Sequence, residues 1–221
     1  MGFIWRVFAI FTVLLLAGRP AAAQEEFPPP QGKGRLVVAV SGASGPDHYR
    51  AVAREIAKLG YDVVLFDGRP MEGTHGAALK SAIAQAQQMP GALPGKIGLV
   101  GFSLGGGIAL GYGSGWSDTV AVDVVWYPAT SAFHDIPGFA ARIKAPVVMF
   151  AGEADTYRNC CLIETAHALD AAAKAASAPF TLTTYPGVEH DFVIDGMHYD
   201  ARTYSDAFAK TAAALKQYLG N

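Results

Sequence analysis

Lys96-Ile97-Gly98-Leu99-Val100-Gly101-Phe102-Ser103-Leu104-Gly105 is an apolar run that closes in G-x-S-x-G, and residues 104–112 then read as a helix. A serine at such a strand-to-helix turn is held in a strained backbone conformation, with its hydroxyl raised off the end of the strand. The flanking glycines are needed where strand and helix leave no room for a Cβ. The N-terminus of the following helix turns its partial positive charge toward the hydroxyl. In an isolated loop the same five residues would describe only a helix cap. In this setting they describe a nucleophile, Ser103.

Working outward, apolar β-branched runs alternate with helical patterns. Strands are expected over 36–40, 61–66, 120–126, 147–150 and 180–185, besides the one that carries the elbow. Helices are expected over 48–59, 76–89, 162–176 and 201–219, stopped at Gly60 and Pro90 in the first two cases. Near-continuous apolar strands separated by helices imply an α/β fold, a mostly parallel sheet covered on both faces. In such sheets ligands bind outside the carboxyl ends of the strands. Between the strand ending at Trp126 and the one beginning at Val147 no large lid domain fits, so the substrate is expected to be small or exposed.

A serine hydroxyl needs a base to take its proton and a third group to orient that base. The chain order for this fold is Ser, then Asp or Glu, then His. Ala151-Gly152-Glu153-Ala154-Asp155 follows one strand and Pro186-Gly187-Val188-Glu189-His190-Asp191-Phe192 follows the next. Asp155 and His190 therefore stand at the right strand ends in the right order, with Glu153 as the alternative acid. Asp191 and Asp195 follow His190 too closely to orient its ring and read as turn or cap residues. His48 lies near a helix start, His167 in a helix, and His75, His134 and His198 in loops. His48 and His134 are candidate contacts at the rim of the site. No histidine pair has H-E-x-x-H spacing and Cys160-Cys161 has no C-x-x-C partner, so no metal is expected. The absence of G-x-x-x-x-G-K-[ST] and G-x-G-x-x-G excludes a nucleotide phosphate cradle.

Taken together, Gly101-Phe102-Ser103-Leu104-Gly105-Gly106-Gly107, Gly152-Glu153-Ala154-Asp155 and Tyr185-Pro186-Gly187-Val188-Glu189-His190-Asp191-Phe192 resemble the dienelactone hydrolase family of α/β-hydrolases. The resemblance implies Ser103 as nucleophile, Asp155 as acid and His190 as base, with no cofactor. It implies cleavage of a small ester, lactone or thioester through an acyl-enzyme, a hydrolase of peptides or amides being the alternative on the same triad. A catalytically silent binding module is the reading from another class. The backbone N–H of Leu104 is one expected oxyanion donor. The loop Ser41-Gly42-Ala43-Ser44-Gly45 stands where many relatives carry a His-Gly-x-x-Gly turn, which makes Ala43 the second donor and Gly42 the next in line. Each such donor is worth roughly 3–4 kcal/mol to the transition state. Tyr127, Phe133 and His134, with Phe139, are expected along the substrate wall. The chain departs from the family pattern in having Ser103 where those enzymes favour cysteine, and Asp191 where glycine commonly follows the histidine. It also departs in carrying an export signal.

That signal is residues 1–23. Arg6 supplies the positive region, residues 7–17 the apolar core and Ala21-Ala22-Ala23 the cleavage site before Gln24. The apolar stretch falls short of the about 20 residues of a spanning helix. Cleavage after Ala23 would leave a periplasmic or secreted protein with no stable membrane insertion; retention as an anchor is the alternative. Residues 24–34, with Pro28-Pro29-Pro30, read as an extended segment outside the core, and 35–221 as one domain. The net charge of −2 and the lack of a basic run exclude nucleic acid as partner. The partner expected is a small-molecule acyl substrate. The only two cysteines of the 221-residue chain, Cys160 and Cys161, can pair within it only with each other. Their Cα atoms, about 3.8 Å apart across a trans peptide, lie closer than usual disulfide geometry. A vicinal disulfide and a pair of buried thiols both remain open at this point.

Overall fold

The computed structural model describes residues 24–220; the segment read as an export signal lies outside them. Seven strands form one sheet: β1 Gln24–Phe27, β2 Gly34–Val40, β3 Asp62–Phe66, β4 Ala92–Phe102, β5 Val120–Trp126, β6 Val147–Gly152 and β7 Phe180–Tyr185. They stand in the order β1-β3-β2-β4-β5-β6-β7. β1 runs antiparallel to β3 and every other neighbouring pair is parallel. The helices are α1 Arg50–Lys58, α2 Ala77–Ala86, α3 Leu104–Tyr112, α4 Ile136–Ala140, α5 Ile163–Ala175 and α6 Ala201–Tyr218.

The period-2 alternation of the central strands divides their side chains between two apolar layers. Val37 and Ala39 point into one, with Val52 and Ile56 of α1 and Ala207 and Leu215 of α6. Leu36, Val38 and Val40 point into the other, with Leu79 of α2, Ile108 of α3 and Leu169 of α5. Trp126 closes β5 in the first layer. Its ring lies 5.3 Å from Phe150, 5.7 Å from Phe102 and 5.8 Å from Phe192. Such aromatic pairs contribute about 0.5–1.5 kcal/mol each beyond their buried area, and here they tie the ends of β4, β5 and β6 to the loop after β7. Those are the chain segments that carry the candidate site.

Two local readings are corrected. Residues 24–34 are not wholly outside the core: β1 adds an edge strand to the sheet and Phe27 is buried. Four residues are too few to show an alternation, and Gln24, Glu25 and Glu26 mask the one apolar side chain. Arg54 lies over the Phe27 ring at 5.4 Å and Arg50 pairs with Glu25, so α1 holds β1 in place. The helix expected over 48–59 opens as a 3-10 turn, Pro46–Tyr49, because Pro46 supports a first turn and lacks the N–H that a longer helix would use.

Candidate active site

Ser103 has φ 50° and ψ −116°, a conformation strained for a residue with a Cβ. Neighbouring backbone holds it there. Its N–H donates to the carbonyl of Trp126 at 3.0 Å, and its own carbonyl accepts from Gly107 at 2.9 Å and Ala129 at 2.8 Å. The two glycines of the motif are sterically required. A Cβ at Gly101 would come within 2.6 Å of the Gly105 carbonyl oxygen, and one at Gly105 within 2.3 Å of that of Val40.

The loop after β7 brings His190 to this serine, with Nε2 2.9 Å from Ser103 Oγ. The loop after β6 brings Asp155 behind the ring, its Oδ2 2.6 Å from His190 Nδ1. All three side chains are buried. The second oxygen of Asp155 accepts from the N–H of Tyr157 at 3.1 Å, which fixes the carboxylate in the plane the imidazole needs. The Tyr157 ring stacks on His190 at 4.7 Å with 6° between planes, while Tyr127 meets it edge-on at 4.8 Å. The imidazole is thus held between two tyrosines. Glu153 takes no part: it accepts from Thr184 Oγ1 on the exposed side.

The loop after β2 lies against Ser103. A Cβ at Gly42 would stand 3.0 Å from Ser103 Cβ and 2.5 Å from the Tyr49 hydroxyl oxygen. Ser41 Oγ accepts from the N–H of Gly68 at 3.1 Å, which anchors the turn to the strand beside it. Ala43 and Ser44 then line a cavity of about 520 Å³ together with Ser103, Tyr157, Arg158, His190, Asp191, Gly196, Met197 and His198. Tyr49, stacked on Phe102 at 4.6 Å, receives a hydrogen bond from Ser44 Oγ at 3.3 Å. Burial pushes its hydroxyl up to about 12, so it remains protonated under the loop. Burial also pushes the Asp191 carboxyl up, against the attraction of His190.

The remaining expected residues are distributed around this centre. Leu104 presents its backbone beside Ser103 at the start of α3, whereas its side chain lines a second cleft of about 490 Å³ with Met71, Ile108, Phe133, His134, Phe139 and Arg142. Phe133 and His134 belong to that cleft and not to the cavity over Ser103. Tyr127 is buried beneath the His190 ring and lines neither, so it packs against His190 and not along the substrate wall. His48 lines a separate cleft with Asp195 and Tyr199. Cys160 and Cys161 are joined as a vicinal disulfide, and the Cys160 carbonyl accepts from Thr130 and Ser131. Their sulfurs lie within 4.8 Å of a His190 nitrogen. That spacing would suit a metal, but cysteine ligates as thiolate, and the disulfide leaves none.

Sequence reasoning missed Tyr157, Arg158, Met197 and His198 as cavity residues and read Asp191 only as a turn. Proximity to Asp155 is the one signal that could have drawn attention to Tyr157. The contacts of the others depend on how the loop after β7 folds back.

A mostly parallel sheet with a serine elbow after β4 and a histidine loop after β7 defines an α/β-hydrolase. Residues 68–219 match the dienelactone hydrolase family, and the chain belongs to that family. Similar solved structures include a putative dienelactone hydrolase from Klebsiella pneumoniae, with TM-score 0.73 and 19% identity over 89% of this chain and 98% of that one. A dienelactone hydrolase-like promiscuous phosphotriesterase from metagenomic libraries gives TM-score 0.71 and 17% identity over 90% of this chain and 99% of that one. Esterase 2 of Thermogutta terrifontis gives 0.66 and 18% over 90% and 95%. No curated protein sequence matches the chain significantly. The protein is an ester-hydrolase-like enzyme of this family.

Proposed function

We propose that the chain is a serine hydrolase that cleaves a small ester, lactone or thioester by way of an acyl-enzyme on Ser103. The observation that carries this reading is the continuous series from Ser103 Oγ to His190 Nε2 and from His190 Nδ1 to Asp155 Oδ2, at 2.9 Å and 2.6 Å. Ser103 Oγ attacks the carbonyl carbon while His190 Nε2 takes its proton. The N–H groups of Leu104 and Ala43 hold the oxyanion, aided by the N-terminus of α3. Collapse of the tetrahedral intermediate breaks the bond to the alcohol or thiol, which leaves with the proton from Nε2. Water then repeats the sequence on the acyl-enzyme and frees the carboxylic acid. Asp155 keeps Nδ1 protonated and stabilises the imidazolium that forms twice per cycle.

A cavity of about 520 Å³ over Ser103 suits a small substrate, and the cleft of Phe133 and His134 extends from the residue after the nucleophile. Ser103→Ala is expected to abolish turnover of short p-nitrophenyl esters without changing the fold, as read by circular dichroism. Retained turnover would overturn the proposal. A fluorophosphonate probe should label the wild type on Ser103 and leave the variant unlabelled; an inert wild type would favour a binding module. The vicinal disulfide supports export to an oxidising compartment. The mature protein should then begin at Gln24, and a measured intact mass that retains residues 1–23 would point to an anchored form.

A further inference from the structure

His190 Nε2 has a second oxygen neighbour besides Ser103. Asp191 Oδ1 lies 3.8 Å from it. That is too long for a direct hydrogen bond and fits one water bonded to both atoms, each contact being about 2.8–3.0 Å. The Asp191 side chain, 14% exposed, lines the same cavity as Ser103. Its backbone stands at φ 57°, in the left-handed region where a side chain is costly and Asp is among the few tolerated. The turn does not use that side chain: the backbone carbonyl of Asp191 accepts from Ile194, and no hydrogen bond to the carboxylate is found among the described residues. The nearby His198 pairs with Glu189 at 2.7 Å. The strained position therefore presents a carboxylate to the cavity beside the base.

We propose that Asp191 is a second catalytic carboxylate, which together with His190 Nε2 binds and orients the water that cleaves the acyl-enzyme. The inference rests on the serine-hydrolase reading. In this step one hydrogen of the water points to Nε2 and the other to Asp191, which directs an oxygen lone pair at the acyl carbon. The new C–O bond forms as Nε2 takes the first proton. The bond from the acyl carbon to Ser103 Oγ then breaks, the proton passes from Nε2 to Oγ, and the carboxylic acid leaves. Asp191 accepts a hydrogen bond throughout and its protonation is unchanged. Water has a hydrogen for each acceptor, whereas an alcohol has only one. The pair of acceptors thus favours hydrolysis over transfer of the acyl group to an alcohol.

The test measures p-nitrophenyl acetate turnover in buffer containing methanol, with acetate and methyl acetate quantified separately. Asp191→Gly suits the left-handed backbone and removes the carboxylate; Asp191→Asn keeps its size. Both should acylate within about threefold of the wild type in stopped flow, while hydrolysis falls about 10- to 100-fold, the lower range of acid–base contributions. The ratio of methyl acetate to acetate should rise by a similar factor, and most in the glycine variant. An unchanged ratio, or acylation and hydrolysis falling together, would overturn the role of Asp191 while leaving the hydrolase reading in place. A wild type that neither turns over the ester nor takes the fluorophosphonate label would instead remove that reading and this inference with it.

Discussion

Asp155 and Glu153 stand two residues apart on one loop, and their surroundings divide the work between them. Asp155 is buried, with one oxygen on the imidazole at 2.6 Å and the other on the Tyr157 N–H at 3.1 Å. Glu153 bonds Thr184 on the exposed side. Asp155→Asn keeps the shape but favours the wrong histidine tautomer, and kcat should fall roughly 10⁴-fold by analogy with other serine triads. Glu153→Gln should remain within about twofold. Steady-state kinetics on one short ester distinguishes them, and a large loss in Glu153→Gln with little in Asp155→Asn would reverse the assignment of the acid. The sequence order Ser, acid, His was enough to single out Ser103, Asp155 and His190 as candidates that the fold brings together, because each lies at a strand end and strand ends follow from hydrophobic patterning. It could not show that Tyr157 and Tyr127 clamp the imidazole, since ring contacts depend on how two loops of different length return over the sheet. Phe133 and His134 were drawn toward the site by their place after β5, but the chain turns along α3 first and leaves them in the adjoining cleft.

The connection from β6 to α5 carries the acid, the stacked tyrosine and the disulfide in a single short loop. Arg158 and Asn159 adopt φ values of 48° and 54° within it. The next two residues are the bonded cysteines, whose carbonyl at Cys160 ties the loop to Thr130 and Ser131. A disulfide between adjacent residues closes a minimal loop, so its effect on the unfolded chain is small, about 1 kcal/mol on the chain-entropy estimate. Its consequence should be local. Replacing both Cys160 and Cys161 by Ser is expected to shift the melting temperature by only a few degrees and to lower kcat about tenfold, through loosened placement of Asp155 and Tyr157. A collapse of Tm with kcat per folded molecule unchanged would show that the bridge serves the fold and not the site. The central strands and flanking helices were legible because doubly covered parallel strands are apolar throughout. β1 was not, as its three polar residues carry no periodic signal and its pairing with β3 is set by the Arg50–Glu25 and Arg54–Phe27 contacts with a distant helix.

Over the whole molecule, the sheet buries two carboxyl groups that serve no catalytic step. Asp123 and Asp62 are fully buried; the Asp123 oxygens have no hydrogen-bond partner among the described residues, and Asp62 lies beside the Glu26 carboxyl of β1. Burial pushes the Asp123 carboxyl well above the usual carboxylate range. Burial, reinforced by the charge of Glu26 on β1, pushes Asp62 up to about 6 from the ordinary 3.8. A folded carboxyl that holds its proton more tightly than the unfolded one makes stability fall as pH rises. Below about pH 4 Asp62 is protonated in both states and contributes no pH dependence. Between about pH 4 and 6 the unfolded chain releases its proton first, and above that window the full cost remains, about 3 kcal/mol at most. Glu26 lies on the edge strand that α1 clamps, so the cost falls where the sheet is least supported. Asp62→Asn removes the ionisation while keeping the shape. Its stability relative to the wild type, from urea unfolding, should therefore increase by that amount between pH 4 and 7 and then level off. A difference independent of pH would mean that Asp62 titrates in the folded protein as it does in the unfolded chain.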